Sequence, residues 1–275
     1  MSRLGIIDTH AHLDDDRFDA DRDQVLARLS EDMEAVITQG TTYETSVRSV
    51  ELAEAHDFIY AAVGWHPEDL AGIRSEAYLA DIERLAREHE KVVAIGEIGL
   101  DYYWKENLPR EVQLLRLRQQ CELALSLDLP VVIHDRDAHG DSLAFVQQEK
   151  PKNLRMVFHC FSGSLEMAKE LWKRGIYTGF GGTSTYKSNK KVREILAACP
   201  EDLFLLETDC PYLTPEPYRG RRNDPSYTEF VAKNAALVRG TTWEHIAEQS
   251  TKNALTVFDR MTRSGRMQQK NNNNK

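Results

Sequence analysis

The strongest constraint on this chain is an alternation. Eight short apolar, β-rich runs recur along it, at Leu4–Asp8, Ala35–Thr38, Phe58–Val63, Val92–Ile95, Pro130–Ile133, Arg155–Phe158, Ile176–Phe180 and Leu203–Leu206. None shows strict in/out alternation, as expected of parallel strands buried on both faces. Amphipathic helical stretches fill most of the gaps: Asp21–Leu29, Glu111–Leu125, Leu165–Trp172, Asn189–Leu196, Tyr227–Val238 and a last one at Trp243–Phe258. In the first, Val25, Leu26 and Leu29 share a face. In the second, Leu114, Leu117, Cys121 and Leu125 form a stripe, and Pro109 is placed to open the helix. Eight β-then-α units without a low-complexity linker imply an α/β protein with a single closed (β/α)8 barrel over residues 1–262. The length of 275 residues suits this, although length alone also allows two domains, and an open doubly wound sheet is the alternative. Residues 263–275 form a polar, Asn-rich tail expected to be disordered.

Composition narrows the function classes. The formal net charge is −9, which argues against binding nucleic acid by backbone attraction alone. It does not exclude a nucleic-acid substrate, since bound divalent cations would add positive charge that a residue count misses. No apolar run is long enough to cross a membrane. The start, Met-Ser-Arg followed by Leu4-Gly5-Ile6-Ile7, does not read as a signal peptide. Cys121, Cys160, Cys199 and Cys210 are scattered and read as reduced thiols. A cytoplasmic protein is expected.

The chemistry gathers where the strand runs end. In a barrel those C-terminal ends share one face, and active sites form there. The first run leads into Asp8-Thr9-His10-Ala11-His12. Residues i and i+2 of an extended segment point the same way, so both imidazoles can meet one cation; alone, the pattern equally fits a solvated strand end. The fourth run leads into Gly96-Glu97, a carboxylate that would be costly to bury unpaired and could bridge two cations, or face an Arg or Lys. The fifth and sixth end in His134 and His159, and the eighth reaches Asp209, which could equally cap a turn before Pro211. Together these are four His and two carboxylates on five strand ends. Such N/O donors suit Mg, Mn or Zn rather than a thiolate site. They are too many for one tetrahedral ion with an open position, and enough for two ions sharing a carboxylate. Two-metal sites hydrolyse esters, and no phosphate-binding P-loop or Ser nucleophile motif is present. Cys160 and Cys210 are expected to point away by strand alternation. Gly179-Phe180-Gly181-Gly182 reads as a tight turn, with a phosphate-approaching loop as the alternative. His66 after the third run, together with Arg136, Tyr212 and the Arg219–Arg222 segment, surrounds the same mouth, and its local basicity points to an anionic substrate.

These pieces resemble the TatD family of metal-dependent deoxyribonucleases, a branch of the amidohydrolase-like barrels. The matching segments are Asp8–Leu13, Gly64–Pro67, Gly96–Tyr102, Leu129–Ala138, His159–Gly163, Glu207–Tyr212 and Arg219–Pro225, in family order over roughly residues 4 to 258. The resemblance implies a TIM barrel of the metallo-dependent hydrolase type. It implies two divalent metal ions held by His10, His12, Glu97, His134, His159 and Asp209, with Glu97 as the bridge where many related amidohydrolases carry a modified Lys. His66, Arg136, Tyr212 and Arg222 are expected to contact substrate. Asp209 and Glu97 are expected to carry catalysis with a metal-activated water. The implied reaction is cleavage of DNA phosphodiesters, commonly from a 3′ end. The alternative on the same site is removal of D-amino acids from aminoacyl-tRNA. A non-catalytic metal-binding scaffold is the third reading, and it fits poorly with a ligand set that leaves coordination open. No membrane and no obligate protein partner are inferred.

Overall fold

The computed structural model describes residues 5–263, so all but the first residue of the Asn-rich tail lies outside the described residues. Eight parallel strands follow one another around a single sheet in chain order, β1 to β8. They are β1 (Ile7–Ala11), β2 (Ala35–Gln39), β3 (Ile59–Val63), β4 (Val92–Asp101), β5 (Val131–Arg136), β6 (Met156–Phe158), β7 (Tyr177–Phe180) and β8 (Phe204–Leu206). A helix follows each strand: α1 (Arg22–Asp32), α2 (Tyr43–Ala55), α3 (Tyr78–Glu88), α4 (Arg110–Ser126), α5 (His139–Gln148), α6 (Leu165–Trp172), α7 (Lys190–Ala198) and α8 (Thr228–Arg239). Two more, α9 (Trp243–Val257) and α10 (Arg260–Arg263), end the described chain.

The first and last strands meet just beyond β8. Ala11 and Cys210 form a parallel bridge, and His12 N donates to Cys210 O and Asp209 N to His10 O, both at 2.8 Å. The sheet is therefore closed, as the alternation predicts. Alternation of side chains splits its core in two. Ile6, Val36, Ile59 and Ile95 pack outward with Leu29, Ile82, Leu171 and other helix residues. Ile7, Ile37, Tyr60, Val93, Val132 and Leu205 pack inward, together with Phe258 and Met261 from the end of the chain.

The N-terminal ends of the strands form a floor where charges are fully engaged. Arg260 Nη1 donates to Ala86 O and Val92 O at 2.8 and 2.9 Å. Lys91 Nζ donates to Ala53 O and His56 O, each at 2.6 Å. Arg155 reaches Val257 O at 3.0 Å and Asp259 Oδ1 at 2.5 Å.

Three sequence expectations shift. β1 runs over Ile7–Ala11, three residues past the expected end at Asp8, because the polar stretch Thr9-His10 stays paired across the closing seam, and the expected start at Leu4 lies outside the described residues. β4 continues six residues past Ile95 to Asp101, pairing Ile98 to Asp101 with Ile133 to Arg136. On α4, Leu125 is exposed and the buried stripe includes Gln113 and Gln120 instead. These amides finish neighbouring strand ends. Gln113 accepts from Asp101 N at 2.8 Å and donates to Asp101 O at 2.9 Å, and Gln120 accepts from Trp65 N at 2.8 Å and donates to Trp65 O at 3.1 Å.

Candidate metal centre

At the opposite end the strands open into a cleft of about 870 Å³, lined among others by His12, His66, Glu97, His134, His159 and Asp209. Glu97, almost fully buried on β4, is its centre. Its two oxygens face two different sets of imidazoles. Oε1 lies 2.7 Å from His159 Nε2 and 2.9 Å from His134 Nδ1. Oε2 lies 3.2 Å from His10 Nε2 and 3.6 Å from His12 Nε2. Asp209 Oδ1 closes the second set, 3.4 Å from His12 Nε2 and 3.6 Å from His10 Nε2.

This donor set fits divalent cations. Neither ring nitrogen of the fully buried His10 has a hydrogen-bond partner, and neither does His159 Nδ1. Such atoms are costly in a protein interior unless something else satisfies them. His12 and His134 are also pre-aimed by outer partners, the usual arrangement around metal-binding His. His12 Nδ1 faces Gln39 O at 3.3 Å, which leaves Nε2 free to coordinate. His134 Nε2 meets Asp101 Oδ2 at 2.9 Å, which turns Nδ1 inward. His159 Nδ1 faces Glu207 Oε1 at 3.8 Å. His66 differs: Nδ1 accepts from Glu68 N at 3.2 Å, so a neutral ring carries its proton on Nε2, 3.4 Å from Glu97 Oε1. That nitrogen is a donor into the cleft rather than a ligand.

The electrostatics follow from this crowding. Burial raises Glu97, yet His159, His10 and His66 outweigh it and hold the carboxyl well below its usual range. Asp209 is likewise raised by burial and lowered further by the His12 bond and by His10, so it is ionised at neutral pH. Burial depresses His12, but Asp209 and Glu97 prevail and push it up to about 9 in the metal-free protein. His134 is driven up to about 10 against burial by Asp101 and Glu97.

The backbone bends to deliver these groups. Asp209 (φ +56°) and Cys160 (φ +41°) adopt the left-handed conformation that non-glycine residues rarely take. Cys160 therefore does not follow strand alternation: β6 stops at Phe158, and Cys160 lines the cleft, contrary to expectation. Its thiol is pushed well above the ordinary range by burial and then by Asp209 and Glu207. Cys210 is fully buried, away from the cleft. In the Gly179–Gly182 segment Gly179 and Phe180 end β7 and Gly182 opens a 3-10 turn, and close packing requires glycine at both ends: a Cβ on Gly182 would sit 1.9 Å from Leu213 O and one on Gly179 would sit 2.1 Å from Glu207 Oε2.

The surrounding residues divide. His66, Arg136 and Tyr212 line the cleft. Arg222 does not: its guanidinium grips both carboxylate oxygens of Asp21 at 2.7 Å and Arg17 O at 2.7 Å. Arg219 and Arg221 lie over the rings of Tyr186 and Tyr218. The basicity of that loop is thus absorbed within the loop and its neighbours. Sequence reasoning missed Asp101, Glu207 and Asp8. Asp8 accepts from Thr208 N at 3.0 Å and Thr208 Oγ1 at 2.5 Å across the seam, and burial pushes its carboxyl up to about 7. Each missed carboxylate sits within two residues of a quoted motif residue or strand end, which was the available signal.

Known proteins resemble this chain over most of its length. The family model described as TatD related DNase matches residues 7–259. The metal-dependent hydrolase YabD of Bacillus subtilis is 43% identical over 92% of this chain and 98% of its own length. The 3′-5′ ssDNA/RNA exonuclease TatD of Cronobacter sakazakii is 33% identical over 92% of this chain and 97% of its own. The crystal structure of the TatD homolog YjjV from Escherichia coli superposes with a TM-score of 0.84 at 33% identity, covering 92% of this chain and 98% of that one.

Proposed function

The chain belongs to the TatD family of metal-dependent hydrolases, and from that premise we propose that it is a two-metal phosphodiesterase removing nucleotides from the 3′ ends of DNA. The observation that carries this reading is the division of Glu97. One oxygen faces His134 and His159, and the other faces His10 and His12 with Asp209 beside them. That is the pattern of one carboxylate shared between two cation positions. A pair of Mg, Mn or Zn ions there would supply Lewis acidity and make water nucleophilic near neutral pH.

The chain's own residues supply the rest. Asp209 is ionised and buried beside His10 and His12, placed to take the proton of the attacking water on a carboxylate oxygen. His66 presents Nε2–H into the cleft, where it can donate to a phosphoryl oxygen. Arg136 is the cation beside His134, suited to a second phosphoryl oxygen. Cys160 lines the cleft, but its raised pKa keeps the thiol protonated, so a covalent route through sulfur has no ready nucleophile.

The deciding assay supplies purified protein with Mg²⁺, Mn²⁺ or Zn²⁺ and compares 3′-labelled single-stranded DNA with D-aminoacyl-tRNA. Release of mononucleotides from the labelled end is the expected result. Deacylation with intact DNA would replace the nuclease reading by the ester one, and turnover of neither would leave the metal-binding scaffold.

A further inference from the structure

Among the described residues, only three Phe, Trp or Tyr side chains are exposed; two of them line this mouth, and the third packs against one of those two. They are Tyr103 (49%), Trp104 (41%) and Tyr212 (44%). Exposed rings gathered at one cleft mark a binding surface rather than scatter. Each is also held in a fixed pose. Tyr212 Oη donates to Asp15 Oδ2 at 3.1 Å, and the Arg17 guanidinium lies 4.0 Å from its ring. Arg17 is itself anchored on Asp15 Oδ1 at 3.1 Å. Tyr103 and Trp104 meet edge to face at 4.7 Å. Arg136 lies 3.8 Å from the first ring and 5.5 Å from the second. Their backbone N–H groups donate to Asp101 Oδ1 at 2.9 and 3.4 Å.

The two platforms belong to different poles of the centre. The Tyr212 ring is 6.0 Å from that of His12, on the Oε2 side of Glu97. Tyr103 and Trp104 are tied through Asp101 to His134, on the Oε1 side. Between them the rim is acidic. Apart from the candidate ligands, Asp14, Asp15, Asp16, Glu68, Asp69 and Asp135 line the cleft, against Arg48 and Arg136. A long polyanion tracking its phosphates over that rim would be repelled. A short end fixed by its bases would not be.

We propose that these rings are nucleobase platforms. Tyr212 stacks the base on one side of the scissile phosphodiester, and Trp104 with Tyr103 stacks a base on the other. The inference rests on the phosphodiesterase reading and deepens it. The strand end would then be held with at least two unpaired nucleotides, through ring faces that every base shares and through few phosphates. Base–aromatic stacking is sequence-tolerant, so little base preference follows.

The test uses metal-loaded protein and a 5′-fluorescein single-stranded oligodeoxynucleotide. Its last two linkages are phosphorothioates to slow hydrolysis, and binding is read by anisotropy. Matched oligonucleotides carry an abasic sugar at the last or the penultimate position. The wild type should bind each abasic form roughly 5- to 150-fold more weakly, the range for losing one stacked base. Tyr212→Ala and Trp104→Ala should each show a loss of that size on the intact strand. Each should then be indifferent to one of the two abasic positions, a different one for each variant, and Trp104→Phe should restore most of the binding. The dependence of log affinity on log salt should be no steeper than about −1.4, that of two phosphates on a single strand. Equal wild-type affinity for intact and abasic strands would overturn the proposal, as would variants that still discriminate both abasic positions. Wild-type hydrolysis of methyl p-nitrophenyl phosphate is followed in parallel. Base-dependent binding without any diester hydrolysis would sink the nuclease reading and leave the platforms standing, whereas hydrolysis with base-blind binding would do the reverse.

Discussion

The two ends of the barrel handle their polar groups in opposite ways. At the floor, Lys91, Arg155 and Arg260 reach backbone carbonyls or carboxylates through hydrogen bonds of 2.5–3.0 Å. At the mouth, His10 and His159 are buried but keep ring nitrogens without partners. A satisfied polar group stabilises a fold, whereas an unsatisfied one persists because the surrounding structure over-determines it. The floor therefore reads as stability and the mouth as function, which is how barrel ends generally divide.

Substitutions should separate the two ends. The largest effect is expected for Glu97→Ala, which removes a group shared by both cation positions. Activity should fall at least ~100-fold, the upper end of what losing only an outer partner of a metal ligand costs. Metal content by mass spectrometry should drop at both positions; full occupancy in this variant would refute the shared role. His134→Ala or His159→Ala should empty one position preferentially. Asp209→Asn comes next, with kcat lowered by about 100-fold or more under excess metal, the lower end of the usual contribution of a positioned base. An Asn variant turning over at the wild-type rate would remove Asp209 from the chemistry.

The floor should respond the other way. Arg260→Ala loses two charge-assisted bonds and should cost about 2 kcal/mol, a Tm fall of ~4–8 °C for a domain of this size. Its metal content and kcat per folded molecule should stay as in wild type. A variant that is stable but metal-poor would break the division between the ends.

A subtler difference should appear with pH. In the metal-free protein His12 and His134 have pKa values raised to about 9 and about 10. A raised His contributes stability that is whole below its unfolded value near 6.5 and is lost as pH climbs through the folded one. Metal-free protein should therefore lose stability between about pH 6.5 and 10, while affinity for metal grows as protons leave the ligands. Denaturant midpoints across that range, with chelator and with metal, should move in opposite directions; parallel curves would refute the exchange of protons for cations. The smallest effect is expected for Cys160→Ser, which should keep nearly full activity despite lining the cleft. A dead but metal-loaded Ser variant would reinstate a sulfur nucleophile.

Much of this was legible in the residues because the barrel reports itself twice. Apolar runs give the strands, and the polar residues just past them share one face whatever the exact register. That is why His10, His12, Glu97, His134, His159 and Asp209 could be grouped before any coordinates. Local conformation was less legible. Strand alternation was extended two residues too far, to Cys160, where the chain had already left β6 for a left-handed turn. Long-range pairing was not legible at all. Arg222 carries the charge expected of a substrate contact, but its engagement by Asp21, 201 positions away, is a tertiary fact. Gln113 and Gln120 likewise read as surface positions of α4 until their strand-end partners are known.

The seam between β1 and the end of β8 has a consequence for synthesis. Asp8 waits for Thr208, and His10 O waits for Asp209 N, 200 and 199 positions later. At ~5–20 residues per second, β1 spends roughly 10–40 s on the ribosome with one edge unpaired. An unpaired parallel edge is a template for other chains, so nascent chains arrested before Phe204 should be the species most often captured by chaperones, and release of the last strand should end that exposure abruptly.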